Sequence, residues 1–108
     1  LCRKADIPVW CGGMLETGVG RAANLALAAL PGFSLPGDIS ATDRYYDEDI
    51  ASPRFALNPD GTIDVPASPG LGVTIDSGAL ERVTLRRERF TAGQPSSRST
   101  QSTESAPA

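Results

Sequence analysis

Histidine is absent from the 108 residues, lysine occurs once (Lys4) and cysteine twice (Cys2 and Cys11). Each shortage removes a class of chemistry. Without histidine there is no Ser–His–Asp set, no base to activate Cys11 as a nucleophile and no Cys/His zinc site. Two thiols are too few for a disulfide scaffold or a tetrahedral metal cage, so the reduced cysteines of a cytoplasmic protein are the expectation. No apolar run approaches the ~18 residues of a membrane span. The N-terminal LCRKADIPVWC lacks the long apolar core of a signal peptide. With no initiator Met either, the chain reads as a piece of something longer.

Charge is equally restrictive. Ten basic against 13 acidic side chains leave a net charge of −3, which excludes nucleic acid as the main partner. The one dense basic run, Arg86, Arg87 and Arg89, has Glu81 and Glu88 for neighbours and reads as a solvated face. A chain of this length makes one small domain or the end of a larger one, with a modest core. Most large apolar residues precede Ile75. The segment 91–108 contains none at all, cannot repay its ordering entropy, and is expected to be a disordered tail.

The patterns that are present describe an α/β chain. Residues 7–11 (IPVWC) are almost continuously apolar and rich in β-branched and aromatic side chains, which suits a strand buried on both faces in a parallel sheet. From Thr17, a plausible N-cap, the period becomes helical. Val19, Ala22, Ala23, Ala26, Leu27 and Leu30 form one stripe, the alanines permit close packing on strands, and Pro31-Gly32 ends the helix. Residues 33–35 make a very short second strand, so that strand, helix and strand compose one βαβ unit. An irregular polar segment follows, residues 43–53. Asn58-Pro59-Asp60-Gly61 is a turn between residues 55–57 and 62–65, and a Pro/Gly-rich loop leads to residues 73–75. The stretch 80–90 suits either a turn of helix or a last edge strand.

Three groups of residues invite a functional reading. Gly18-Val19-Gly20-Arg21-Ala22-Ala23 has the outline of a dinucleotide-binding GxGxxA, with Asp38 near the ribose-binding offset. In that fingerprint, however, the first glycine comes directly off the strand. Here residues 14–17 intervene, and Glu16 would set a negative charge beside the phosphates. The earlier pair, Gly12-Gly13, sits where a barrel strand would end. It is either an ordinary turn or a place where backbone approaches a ligand and offers N–H groups to an oxygen. Asp47-Glu48-Asp49 lacks the spacing of a calcium loop and reads as solvated. Tyr45 and Tyr46 each face a pocket or pack elsewhere. Trp10 reads as core, and Lys4, before the strand, as surface.

The string PVWCGGMLETGVGRAANLALAALPGFSLPGDISATDRYYDEDI, with LNPDGTIDVP and SPGLGV after it, resembles the o-succinylbenzoate synthase/N-acylamino acid racemase family of the enolase superfamily, which is muconate-lactonizing-enzyme-like. The resemblance spans residues 7–73. It implies the C-terminal part of a (β/α)7β TIM-type barrel (strand seven, helix seven and strand eight, residues 1–53). A segment returning to an α+β capping domain (54–90) and the tail (91–108) would follow. It also implies Mg²⁺ held by three carboxylates, and lysines that move a proton α to a carboxylate. Those groups would lie on earlier strands, so this segment holds no catalytic residue and no metal ligand and is expected to be inactive alone.

What the resemblance carries over is a pocket wall. Gly13, Met14 and Leu15 would line the site, offering backbone N–H groups and apolar contact to the acyl or succinyl part of a small-molecule carboxylate, with Tyr45 closing the same pocket. Glu16 would stand at or just behind the wall, and Asp38 would hold the strand-eight loop by hydrogen bonds. The intact enzyme would be cytoplasmic and homo-oligomeric. It would either form o-succinylbenzoate for menaquinone synthesis or racemise N-acylamino acids. The readings from other classes are a non-catalytic stand-alone or partner-binding protein and a dinucleotide-binding fragment.

Overall fold

Val9 and Phe33 form a parallel bridge, the link on which the first half of the molecule is built. The computed structural model describes residues 1–91; the expected disorder of the tail falls, from Ala92 on, outside them. Val9 donates to the carbonyl of Gly32 (3.1 Å) and accepts from Leu35 (3.2 Å), the slanted pattern of a parallel pair. The two expected strands therefore lie side by side with the expected direction, yet each contributes one bridge rather than a ladder. Pro8 has no N–H to give. Among the described residues the far edge of the first strand has no partner strand.

That open edge also corrects the burial expected of residues 7–11. Cys11 alone is buried, and Trp10, expected in the core, is 52% exposed. A strand of a parallel sheet becomes interior only when elements cover both its faces.

The connecting helix, α1 (Gly18–Ala28), starts after Thr17, whose extended backbone (φ −69°, ψ 173°) occupies the N-cap position without a side-chain cap bond. It ends before Pro31-Gly32, where Gly32 takes φ +107°, a value open to glycine. Its buried face is Gly18, Arg21, Ala22 and Leu25. The expected stripe is thus wrong in phase: Ala23, Ala26, Leu27 and Leu30 are exposed. The reason is the packing partner. Ala22 and Leu25 pack with Phe55, and Ile39, Ile63 and Val73 close around them, so the helix buries the face that meets the later segment.

That segment is more ordered than its polarity suggests. Inside the stretch expected to be irregular, β1 (Ala51–Ser52) pairs antiparallel with β2 (Thr74–Ile75), Ala51 opposite Ile75 and Ser52 opposite Thr74. The turn at residues 58–61 forms as expected, with Gly61 N–H donating to Asn58 (2.9 Å) and Asn58 N–H to Thr62 (2.8 Å). Its flanks add no strands. Helix α2 (Ser77–Val83) takes up the first part of the undecided stretch and begins three residues earlier, because Asp76 caps it by accepting from Ala79 N–H at 2.9 Å. Beyond it Arg86 and Arg87 are exposed and paired with Glu88 and Glu81, the solvated face expected of them. No helix among the described residues is long and apolar enough to cross a membrane.

Candidate substrate-facing groove

Both loops that leave the Val9–Phe33 pair at its C-terminal end meet over an open groove of about 570 Å³, lined by Gly13, Asp38, Ser40, Arg44, Tyr45 and Leu57 among others. Sequence reading placed Gly13 and Tyr45 at one site, and they do stand on one groove. Met14 and Leu15 do not line it; their side chains stand out at the rim, 78% and 64% exposed. Gly13 must be glycine for a steric reason: a Cβ there would lie 2.9 Å from Ile39 Cα and 3.1 Å from the Asp38 carbonyl oxygen. The two loops touch backbone to backbone.

Every residue from Gly13 to Glu16 is held by a separate bond. Asp38 Oδ1 accepts from Gly13 N–H at 2.6 Å, and Glu16 Oε2 accepts from Met14 N–H at 2.5 Å. The Tyr46 hydroxyl donates to the Leu15 carbonyl. Arg21 Nη2 donates to the Glu16 carbonyl at 3.1 Å. The Gly13 and Met14 amides, which the family resemblance aimed at a substrate oxygen, are therefore already engaged by the protein's own carboxylates. Glu16 also accepts from Asn24 Nδ2 at 2.7 Å and braces the loop. Burial opposes charge on Glu16, but its own N–H, that of Met14, the Asn24 amide and the Arg21 charge together hold its carboxyl below the ordinary value. Asp38 does hold the strand-eight loop, by tying it to the strand-seven loop.

Beneath these loops lies a polar cluster that sequence reading missed. Asp49 accepts the Gly18 N–H with both oxygens, at 3.0 and 2.8 Å, and the Ala51 N–H at 3.3 Å. Arg21, 0% exposed, reaches it at 3.8 Å. Thr42 Oγ1 joins the cluster, accepting from Arg21 Nη1 (3.3 Å) and Phe55 N–H (3.1 Å) and donating to Asp49 Oδ2 (3.4 Å). The Asp47-Glu48-Asp49 run is thus not one solvated unit. Asp49 is buried, whereas exposed Glu48 pairs with Arg82 at 2.6 Å. A signal for Arg21 was present: Gly18, Arg21, Ala22 and Leu25 fall at i, i+3, i+4 and i+7, one helix face.

The same cluster disposes of the dinucleotide reading. The amide that would face a pyrophosphate is taken by Asp49, a carboxylate placed where the helix dipole favours negative charge. A Cβ on Gly18 would meet Ala51 at 2.9 Å, and one on Gly20 would meet Glu16 at 2.9 Å. Those glycines serve helix start and close packing.

Lys4 lies in the 3₁₀ turn Cys2–Ala5 ahead of Val9, at the opposite end from the groove. No group of three or more Asp, Glu, Cys or His converges among the described residues, so these residues do not fit Mg²⁺.

Comparison with known proteins accounts for the fold. The o-succinylbenzoate synthase of Bacillus subtilis (strain 168) is 47% identical over 91 residues, 84% of this chain and 24% of that protein. The N-succinylamino acid racemase of an Amycolatopsis species is 57% identical over 87 residues, 81% of this chain and 23% of that protein. A crystal structure of an enolase-superfamily member from Listeria innocua Clip11262 superposes with a TM-score of 0.70 at 54% identity, covering 75% of this chain and 22% of that one. The chain spans about a quarter of the length of the curated relatives it matches. Its α/β structure is that of the C-terminal part of a TIM-type barrel. Residues 1–79 match the enolase C-terminal domain-like family, and the chain belongs to it.

Proposed function

We infer that this chain is the groove-bearing C-terminal segment of a Mg²⁺-dependent o-succinylbenzoate synthase, an N-acylamino acid racemase, or an enzyme that does both. The reaction begins with abstraction of a proton α to a carboxylate. The observation that carries this is the meeting of the Gly13 loop and the Tyr45 loop on one groove. It lies at the C-terminal end of the parallel pair, the end at which barrel enzymes bind substrate. Relatives of both names share about half of these residues with the chain. Enolase-superfamily enzymes generally use Mg²⁺, and family members act on small molecules.

In this reading residues 1–53 are barrel and 54–90 return to a capping domain, in a cytoplasmic homo-oligomer. Gly13 and Tyr45 bound the substrate, and Met14 and Leu15 supply apolar contact to its acyl or succinyl part from the rim. The lysines and metal carboxylates come from earlier strands. The protein expressed from its complete coding region tests this. With Mg²⁺ it is expected to form o-succinylbenzoate from its cyclohexadiene precursor, followed by absorbance, or to racemise N-succinylamino acids, followed by polarimetry. Absence of both turnovers, or of a KxK pair and three spaced acidic residues upstream of Leu1, would remove the reading.

A further inference from the structure

We propose that Tyr46, rather than serving as a second pocket aromatic beside Tyr45, is the positioning residue of a two-point clasp that sets substrate specificity. It fastens the strand-eight loop to the strand-seven loop.

The clasp has one point on each side of Met14. On one side Asp38 Oδ1 accepts the Gly13 N–H at 2.6 Å. On the other the Tyr46 hydroxyl donates to the Leu15 carbonyl, thirty-one residues away in sequence. Between the two, Met14 and Leu15 project their side chains into solvent at the groove rim. Exposed side chains hold no position of their own, so their distance from a ligand depends on how the backbone beneath them is fixed. The strand-eight end of the clasp is itself held. The Tyr46 N–H donates to Thr42 at 3.1 Å, and Arg54 Nη2 reaches the Tyr46 carbonyl at 3.4 Å. Thr42 in turn belongs to the buried Arg21–Asp49 cluster. The clasp therefore refers the rim to the most buried part of the molecule.

This role rests on the functional reading above, in that the ligand against the rim is the acyl part of an N-acylamino acid or the succinyl part of the dehydratase substrate. Tyr46→Phe removes one hydroxyl and keeps the ring. In the protein expressed from its complete coding region, hydrogen exchange at the Gly13 and Met14 amides is expected to quicken while the α1 amides stay unchanged. KM for N-succinylamino acids is expected to rise about five-fold, the equivalent of one ordinary hydrogen bond, with kcat little altered. Asp38→Asn, which keeps an acceptor oxygen, is expected to preserve slow exchange that Asp38→Ala abolishes.

Unchanged exchange in Tyr46→Phe would overturn the clasp. Faster exchange with KM unmoved, or a fall confined to kcat, would overturn its role in specificity. Absence of both turnovers in the unsubstituted protein would overturn the functional reading, and the specificity role with it, leaving exchange to decide the clasp alone.

Discussion

Asp49 caps a helix that begins thirty-one residues before it, its two carboxylate oxygens accepting the Gly18 N–H at 3.0 and 2.8 Å. This one relationship joins the βαβ half of the chain to the segment that follows, and it places the buried Arg21 beside its only carboxylate ion-pair partner among the described residues. The two neighbouring acids of the same run should therefore respond differently to substitution. Asp49→Ala strands a buried guanidinium and is expected to cost about 3 kcal/mol or more in urea unfolding followed by circular dichroism at low protein concentration. Glu48→Ala breaks only an exposed pair with Arg82, and its midpoint should match that of the unsubstituted protein. Equal effects of the two would refute the cap.

Gly13→Ala forces a methyl to within 2.9 Å of Ile39 Cα, against backbone that cannot rotate away. The two loops must separate, loosening the Asp38–Gly13 bond. A loss of about 1–3 kcal/mol is expected, read as a lowered thermal midpoint. An unchanged midpoint would show that the loops are not in contact.

Glu16 links pH to the loop. Its carboxyl is held below the ordinary 4.5, burial being outweighed by the N–H groups of Glu16 and Met14, the Asn24 amide and Arg21. A carboxyl depressed in the folded state stabilises it fully above the unfolded value, and that contribution disappears as pH falls through the folded one. In an NMR titration the Met14 amide shift and the Glu16 carboxyl should move together, with a shared midpoint below 4.5. A Met14 amide indifferent to pH would mean that the Met14–Glu16 bond is absent.

Ile7, Trp10, Leu27, Leu30 and Leu35 are all exposed, and apolar side chains left open to water favour association. Expressed by itself, the 108-residue chain is expected to self-associate, with sedimentation that depends on concentration and bright binding of a hydrophobic dye. A monomer with a sharp thermal transition would contradict this.

Much of the local structure was legible because local rules produce it. Thr17 and Pro31-Gly32 bracket the helix, the first by its extended backbone and the second by backbone restriction, and the 58–61 turn follows from its Asn-Pro-Asp-Gly residues. The pairing of Gly13 with Tyr45 on one groove came from family resemblance, since no local rule connects residues so far apart. What failed did so where a distant partner decided the outcome. The stripe of α1 was misphased because apolarity alone does not say which face meets Phe55. Arg21 and Asp49 were missed because each side chain looks solvated until the other is brought beside it.

The amino-acid sequence by itself determined where this chain turns, where its helix starts and stops, what chemistry it lacks and to which family it belongs. The first three follow from residue types and short spacings, the last from resemblance to a known family. Only the tertiary structure decided which carboxylates are structural, which amides are already engaged and which loops touch. Apart from the Met14–Glu16 bond, these depend on contacts between residues 25 to 31 positions apart, and burial, not residue type, decides whether a charge is solvated or paired.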